Sequence, residues 1–102
     1  MRVSKDYRGF WRAESVFPLF GDRVLEITTR KSIDGLGTYA SVAKREGSFM
    51  TFMLYQDYLK PINATPKRCT EKAVKELHAQ ALQSLETIRA DALAHYQQRG
   101  QE

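Results

Sequence analysis

The run Arg23-Val24-Leu25-Glu26-Ile27-Thr28-Thr29-Arg30-Lys31 alternates apolar and polar side chains at period two. A half-buried β-strand needs that period, and a helix does not produce it. Leu25, Ile27 and Thr29 fall on one face, and Glu26, Thr28 and Arg30 on the other. The same period runs outward in both directions. Before it, Gly9 to Phe17 sets Trp11, Ala13 and Phe17 against Arg12 and Glu14, and Pro18 with Gly21-Asp22 closes the strand as a turn. After it, Ser32-Ile33-Asp34-Gly35-Leu36-Gly37 is a glycine-bearing connection. Thr38 to Lys44 then turns Thr38, Ala40 and Val42 one way, with Tyr39, Ser41, Ala43 and Arg45 the other way. Arg45-Glu46-Gly47-Ser48 suits a hairpin loop with glycine in a left-handed conformation. A fourth strand, Phe49 to Tyr58, offers Met50, Phe52 and Leu54 to the core and Thr51, Met53 and Tyr55 to the opposite face.

At Thr70 the period changes. Thr70 is a good helix N-cap, and Glu71 in the first turn favours the helix dipole. Val74, Leu77, Ala81, Leu85, Ile88 and Ala92 then recur at steps of three and four, widened by Leu82, Leu93 and Tyr96. Gly100 is a stop signal. The segment 59–69, with Pro61 and Pro66, reads as a linker. The expected fold is α+β: a four-stranded antiparallel β-meander over about 9–58, followed by one long C-terminal amphipathic helix over about 70–98 packed on one face, all in a single domain spanning 1–102. Ile27, Val42 and Phe52 are expected beneath Leu77 and Ala81. A helix over 71–98 would be about 40 Å long, while the strands span about 20–30 Å. The helix should therefore overhang its sheet, which predicts a homodimer through Leu85, Ile88, Leu93 and Tyr96.

Composition removes several classes. No stretch approaches the length of a membrane-spanning apolar helix. The first residues lack the apolar core of a signal peptide, and the single cysteine, Cys69, allows no internal disulfide, so a cytoplasmic location is expected. One Cys and two His, His78 and His95, do not make a zinc-finger site. His78 flanks the apolar stripe and reads as a structural histidine, Cys69 as a linker cysteine. Neither a phosphate loop nor a nucleophile elbow nor a zincin motif is present, so no enzyme activity and no cofactor are expected.

Charge is more informative. The chain carries a net +4, and residues 1–68 alone carry twelve basic and seven acidic side chains. Arg30-Lys31 and Lys44-Arg45 stand at outer ends of neighbouring strands, with Tyr39 and Tyr55 between them on the polar face. Cations that follow phosphates and rings that stack on unpaired bases are the two requirements of a single-stranded nucleic-acid platform. The expected ligand is therefore single-stranded DNA or RNA, bound with weak sequence selectivity by Arg30, Lys31, Tyr39, Lys44, Arg45 and Tyr55. The alternative is a protein-interaction module or small accessory subunit, engaging a partner through Trp11, Phe17 or Phe20 and the helix end. Four antiparallel strands and a C-terminal helix in a small basic chain resemble the single-stranded-DNA-binding transcriptional coactivators of the positive-cofactor-four type. The likeness lies in element order and carries no sequence motif. It implies pairing of two chains through their helices and a basic face on each curved sheet.

Overall fold

In the computed structural model, residues 1–46, 49–52 and 58–100 are described, with side chains described for 1–44 and 58–97. The chain forms one antiparallel sheet followed by two helices. The strands are β1 (Arg2–Lys5), β2 (Trp11–Phe20), β3 (Arg23–Ser32), β4 (Gly35–Glu46), β5 (Phe49–Phe52) and β6 (Leu59–Thr65). They lie in the order β1-β2-β3-β4, and the outer edge of β4 is shared. Its C-terminal part pairs with β5 and its N-terminal part with β6.

The α+β class and the antiparallel meander are as the alternation predicted, and the details differ in three places. First, Arg2–Lys5 adds an edge strand, joined to β2 by a turn in which the Gly9 N–H donates to the Asp6 carbonyl at 2.9 Å. Second, the expected linker is a strand: β6 includes Pro61, which an edge strand tolerates because its outer side owes no ladder bond. The expected fourth strand keeps only β5. There Phe52 pairs with Ala43, and the side chains of this segment, including Met50, Phe52 and Leu54 of the expected core, lie outside the described residues.

Third, the single long helix is two: α1 (Glu71–Leu82) and α2 (Leu85–Gly100). The Thr70 side chain caps α1 by accepting from the Ala73 N–H at 3.1 Å. At the break, the Gln83 N–H donates to the Gln80 carbonyl and the Ser84 N–H to the Ala81 carbonyl, both three residues back, which tightens and ends the helix. The chain then restarts as α2 across the sheet. Residues expected at a homodimer interface are in part used within the chain. Ile88 is buried in the chain's own core, Leu85 and Tyr96 pack against that core, and Leu93 is half-buried.

Two apolar clusters fill the space between sheet and helices. Ala13 and Leu36 meet Ala73, Val74 and Leu77 of α1. Leu25, Ile27, Ala40 and Val42 meet Tyr58 and, from α2, Ile88 and Ala92. Ile27 and Val42 thus lie beneath α2, not beneath Leu77 and Ala81. Tyr58 donates its hydroxyl to Asp91 Oδ2 at 2.7 Å, and Lys60 Nζ stands 3.1 Å from the same oxygen, which fastens α2 to the sheet edge. The Tyr58 hydrogen bond, then Lys60, holds the Asp91 carboxyl below the usual range.

Between the clusters lies a polar node. His78 of α1 is fully buried. Its Nε2 is 2.8 Å from Ser15 Oγ of β2, and its Nδ1 is 2.9 Å from Thr29 Oγ1 of β3. Thr29 in turn meets Thr38 Oγ1 of β4 at 2.7 Å. Burial, and secondarily the charge of the amino terminus, pushes the imidazole down to about 4. The unfolded chain binds its proton near pH 6.5, before the folded one does, so this contribution to stability is complete above that pH and lost as pH falls towards 4. Urea unfolding should therefore show a loss of about 2 kcal/mol between pH 7 and pH 5. His78→Leu should remove that slope. A wild-type slope of zero in this window would mean the imidazole is not held neutral.

Gly35, first residue of β4, adopts φ +140°, and a Cβ there would stand 2.2 Å from the Thr65 carbonyl oxygen. The β3–β4 turn is thereby seated on the end of β6. Gly35→Ala should cost about 2–3 kcal/mol in denaturant unfolding, from strained backbone and a forced displacement of β6.

Candidate nucleic-acid interface

The two hairpin turns, 6–10 and 32–35, emerge at the same end of the sheet because β1–β2 and β3–β4 run in the same sense. Between and below them is a groove of about 670 Å³ lined by Arg8, Arg30, Lys31, Ile33, Asp34 and Tyr39, with Ser32 completing its wall. Arg30 and Tyr39 share the face away from the helices, since Arg30 pairs with Gly37 and Thr28 with Tyr39. The Arg30 guanidinium lies 4.8 Å from the Tyr39 ring centre. That ring lies against Gly37, where a Cβ would stand 2.8 Å from its hydroxyl oxygen. Lys31 Nζ lies 4.3 Å from the Phe10 ring centre, and Arg8 lies 5.2 Å from the same ring.

Asp6 organises the first turn. Its Oδ1 accepts from the Arg8 N–H at 2.8 Å and the Phe10 N–H at 3.1 Å, and its Oδ2 pairs with the Arg8 guanidinium at 3.3 Å. Partial desolvation works the other way, but these donors together hold the Asp6 carboxyl below the usual range.

Of the six residues expected to bind nucleic acid, the structure brings together Arg30, Lys31 and Tyr39. Lys44 is elsewhere: it pairs with Arg23, seven ladder positions from the Arg30–Gly37 pair, which is about 23 Å. Its Nζ stands 3.8 Å from Asp22. The side chain of Arg45, and Tyr55 as a whole, lie outside the described residues. Sequence reading missed Arg8 and Phe10 as members of the site. The signal was present: Asp6 and Gly9 occupy the first and fourth positions of a β-turn, their preferred places. Recognising that turn would have revealed β1 and set Arg8 beside Lys31.

The middle of the same face has the opposite character. Arg12 Nε is 2.8 Å from Glu14 Oε1. Glu26, diagonal to Glu14 across the β2–β3 ladder, is 4% exposed, and its Oε2 has no hydrogen-bond partner among the described residues. Burial, then the Glu14 charge, raises the Glu26 carboxyl above its ordinary value, against a pull from Arg12. The face is therefore not one basic surface: a carboxylate belt separates its two ends.

Among the described residues no group of three or more His, Cys, Asp or Glu is placed to hold a metal ion, and no helix is long and apolar enough to cross a membrane. The Ser15–His78 pair has the atoms of a nucleophile and base, but both residues are buried and no carboxylate is among the partners of the imidazole, so it offers no surface to a substrate. Cys69 donates to the Trp11 carbonyl at 3.3 Å. No protein-family model, curated protein or solved structure matches the chain.

Glu26→Gln should raise stability at pH 7 by about 1 kcal/mol, because it removes a buried unpaired charge beside Glu14. The gain, read from thermal melts, should shrink as pH falls and the wild-type carboxyl takes up its proton. A variant less stable than wild type at pH 7 would show that the carboxylate has a stabilising role.

Proposed function

We propose that the protein binds single-stranded nucleic acid, with weak sequence selectivity, in the groove between the two hairpin turns. One observation carries the reading. Arg12, Lys44, Lys60 and Lys67 are each within 4 Å of a carboxylate, whereas Arg30 and Lys31 lie over the rings of Tyr39 and Phe10 and, among the described residues, form no ion pair. Two cations held in place by aromatic faces can contact consecutive phosphates without first breaking a salt bridge. As a cation turns from its ring to a phosphate, it would uncover a π-face on which an unpaired base can stack, and such stacking tolerates any base.

The contacts named for the interaction-module alternative are in part used within the chain. Trp11 packs against the α1 cluster with Lys5 over its ring. Phe17 packs against the α2 cluster, and Phe20 meets Tyr96 edge-on at 5.4 Å. Trp11 and Phe17 are half-buried within the chain, while Phe20 keeps 41% of its surface exposed.

The test is a titration of a labelled single-stranded oligonucleotide by fluorescence anisotropy across a range of salt. Arg30→Ala and Lys31→Ala should each weaken binding and reduce the slope of log K against log salt by about 0.7, the value of one single-strand phosphate contact. Tyr39→Ala should weaken binding by about 1–3 kcal/mol with the slope unchanged, since stacking releases no counterions. Absence of binding at about 50 mM salt, where phosphate contacts are strong, overturns the proposal.

A further inference from the structure

We infer that the groove prefers a junction between single strand and duplex, the two turn tips covering the exposed face of the terminal base pair while the unpaired strand runs over Arg30, Lys31 and Tyr39. This rests on the reading of the groove as a single-strand site. Three observations point to it. Ile33, at the tip of the β3–β4 turn, is 100% exposed, and Tyr7, at the tip of the β1–β2 turn, is 95% exposed. Turn positions usually carry polar residues or glycine, so two large apolar side chains presented at one end of the sheet require an apolar counterpart. The two hairpins are neighbours, so their axes lie two strand spacings apart, about 10 Å. Side chains at that separation can rest on the two bases of one pair.

The tips are also held firmly. Gly35 seats the β3–β4 turn against Thr65 and Pro66. The Asp6 carboxylate ties down the backbone of Arg8 and Phe10 in the other turn. Apolar side chains on rigid supports are what unstacking requires, because the wedge must not give way before the bases do. Charge selects among apolar counterparts. Arg8, Arg30 and Lys31 stand directly behind the tips, with Asp6 and Asp34 as the only carboxylates of the two turns, and a duplex end combines a flat apolar face with phosphates on both sides. Arg8 lies 5.6 Å from the Tyr7 ring centre, so the ring has a cation behind it.

The experiment compares three labelled DNAs in one buffer: a single strand, a blunt duplex, and a duplex with a single-stranded overhang of the same sequence. A fluorescent adenine analogue occupies the terminal paired position of the junction. Wild-type protein should bind the junction about tenfold more tightly than the single strand, the worth of one stacking contact, and the analogue should brighten as its stacking neighbour is lost. Tyr7→Ser, at the tip that does not line the groove, should abolish the brightening and bring junction affinity within about twofold of single-strand affinity, while single-strand affinity stays the same. Because Tyr7 is 95% exposed, the melting temperature of the variant should match wild type, which excludes misfolding as the cause. Equal wild-type affinity for single strand and junction overturns this inference and leaves the single-strand reading standing. Absence of binding to any of the three DNAs overturns both. Co-sedimentation with phosphatidylserine vesicles that Tyr7→Ser abolishes, without junction preference, overturns it by assigning the tips to a lipid surface.

Discussion

The His78 imidazole joins helix α1 to three strands at once. Ser15 of β2 and Thr29 of β3 take its two ring nitrogens, and Thr29 passes the chain of hydrogen bonds to Thr38 of β4. Three hydroxyls, each able to donate and accept, can satisfy either neutral tautomer, so the ring needs no water and no carboxylate. An apolar residue at 78 would leave the Ser15 hydroxyl buried without this partner, the costly half of a broken hydrogen bond. The node also fixes register. Ala13 and Leu36 flank it and pack on Ala73, Val74 and Leu77, so sliding α1 by one turn would place the imidazole among aliphatic side chains and the hydroxyls against Val74. That register sets α1 over the half of the sheet from which both hairpin turns emerge. The groove is thus an extension of strands whose other face is locked to α1.

The second half of the sheet is covered independently. The break at Gln83 and Ser84 lets α2 leave the α1 axis and lay Ile88 and Ala92 on Leu25, Ile27 and Val42. Tyr58 and Lys60 then hold Asp91 at the sheet edge. The part of the apolar stripe formed by Ile88 and Ala92 is thus covered by the chain's own sheet, with Leu85 and Tyr96 packed against the same cluster.

What the sequence revealed and what it concealed have the same origin. Alternation within residues 11–17, 23–31 and 38–44 identifies three strands and the parity of their faces, because a residue's side of a pleat depends only on parity, but it misses their ends: β2 continues through Pro18 to Phe20 and β4 begins at Gly35. Thr70 as N-cap is equally local. The helix break is hidden because Ala81, Leu82, Leu85 and Ile88 continue the stripe across it, and Gln83-Ser84 contains neither Gly nor Pro. Only the extent of the sheet beneath demands the turn. β6 is hidden because Pro61 reads as a linker when the edge position of the strand is unknown. Arg2–Lys5 is too short and too basic to announce itself, so Arg8 and Phe10 are left unassigned. Arg30 and Tyr39 are recoverable because parity and hairpin order suffice to place them on one face; Lys31 has the parity of the core side and reaches the groove only because it stands at the end of its strand, beside the turn. Lys44 stands at the end of the ladder opposite Arg30, as strand order implies; what strand order does not reveal is its ion pair with Asp22 and the carboxylates that lie between the two ends.

The distribution of charge decides how the basic excess can act. Twelve basic side chains among residues 1–68 suggest a positive sheet, yet the centre of its open face holds Glu14 and a buried Glu26, with Arg12 bound to the former. A polyanion laid along the whole face would bring phosphates to these carboxylates, with repulsion strongest where Glu26 is least solvated. In the binding mode proposed above, these carboxylates would confine an anionic strand to one end, where Arg30 and Lys31 lie on aromatic rings. A contact confined in this way would cover a few nucleotides, with few phosphate neutralisations and a shallow dependence on salt. Affinity would then draw more heavily on rings and exposed apolar tips, and recognition would shift from charge towards stacking, the form that tells an unpaired base from a paired one.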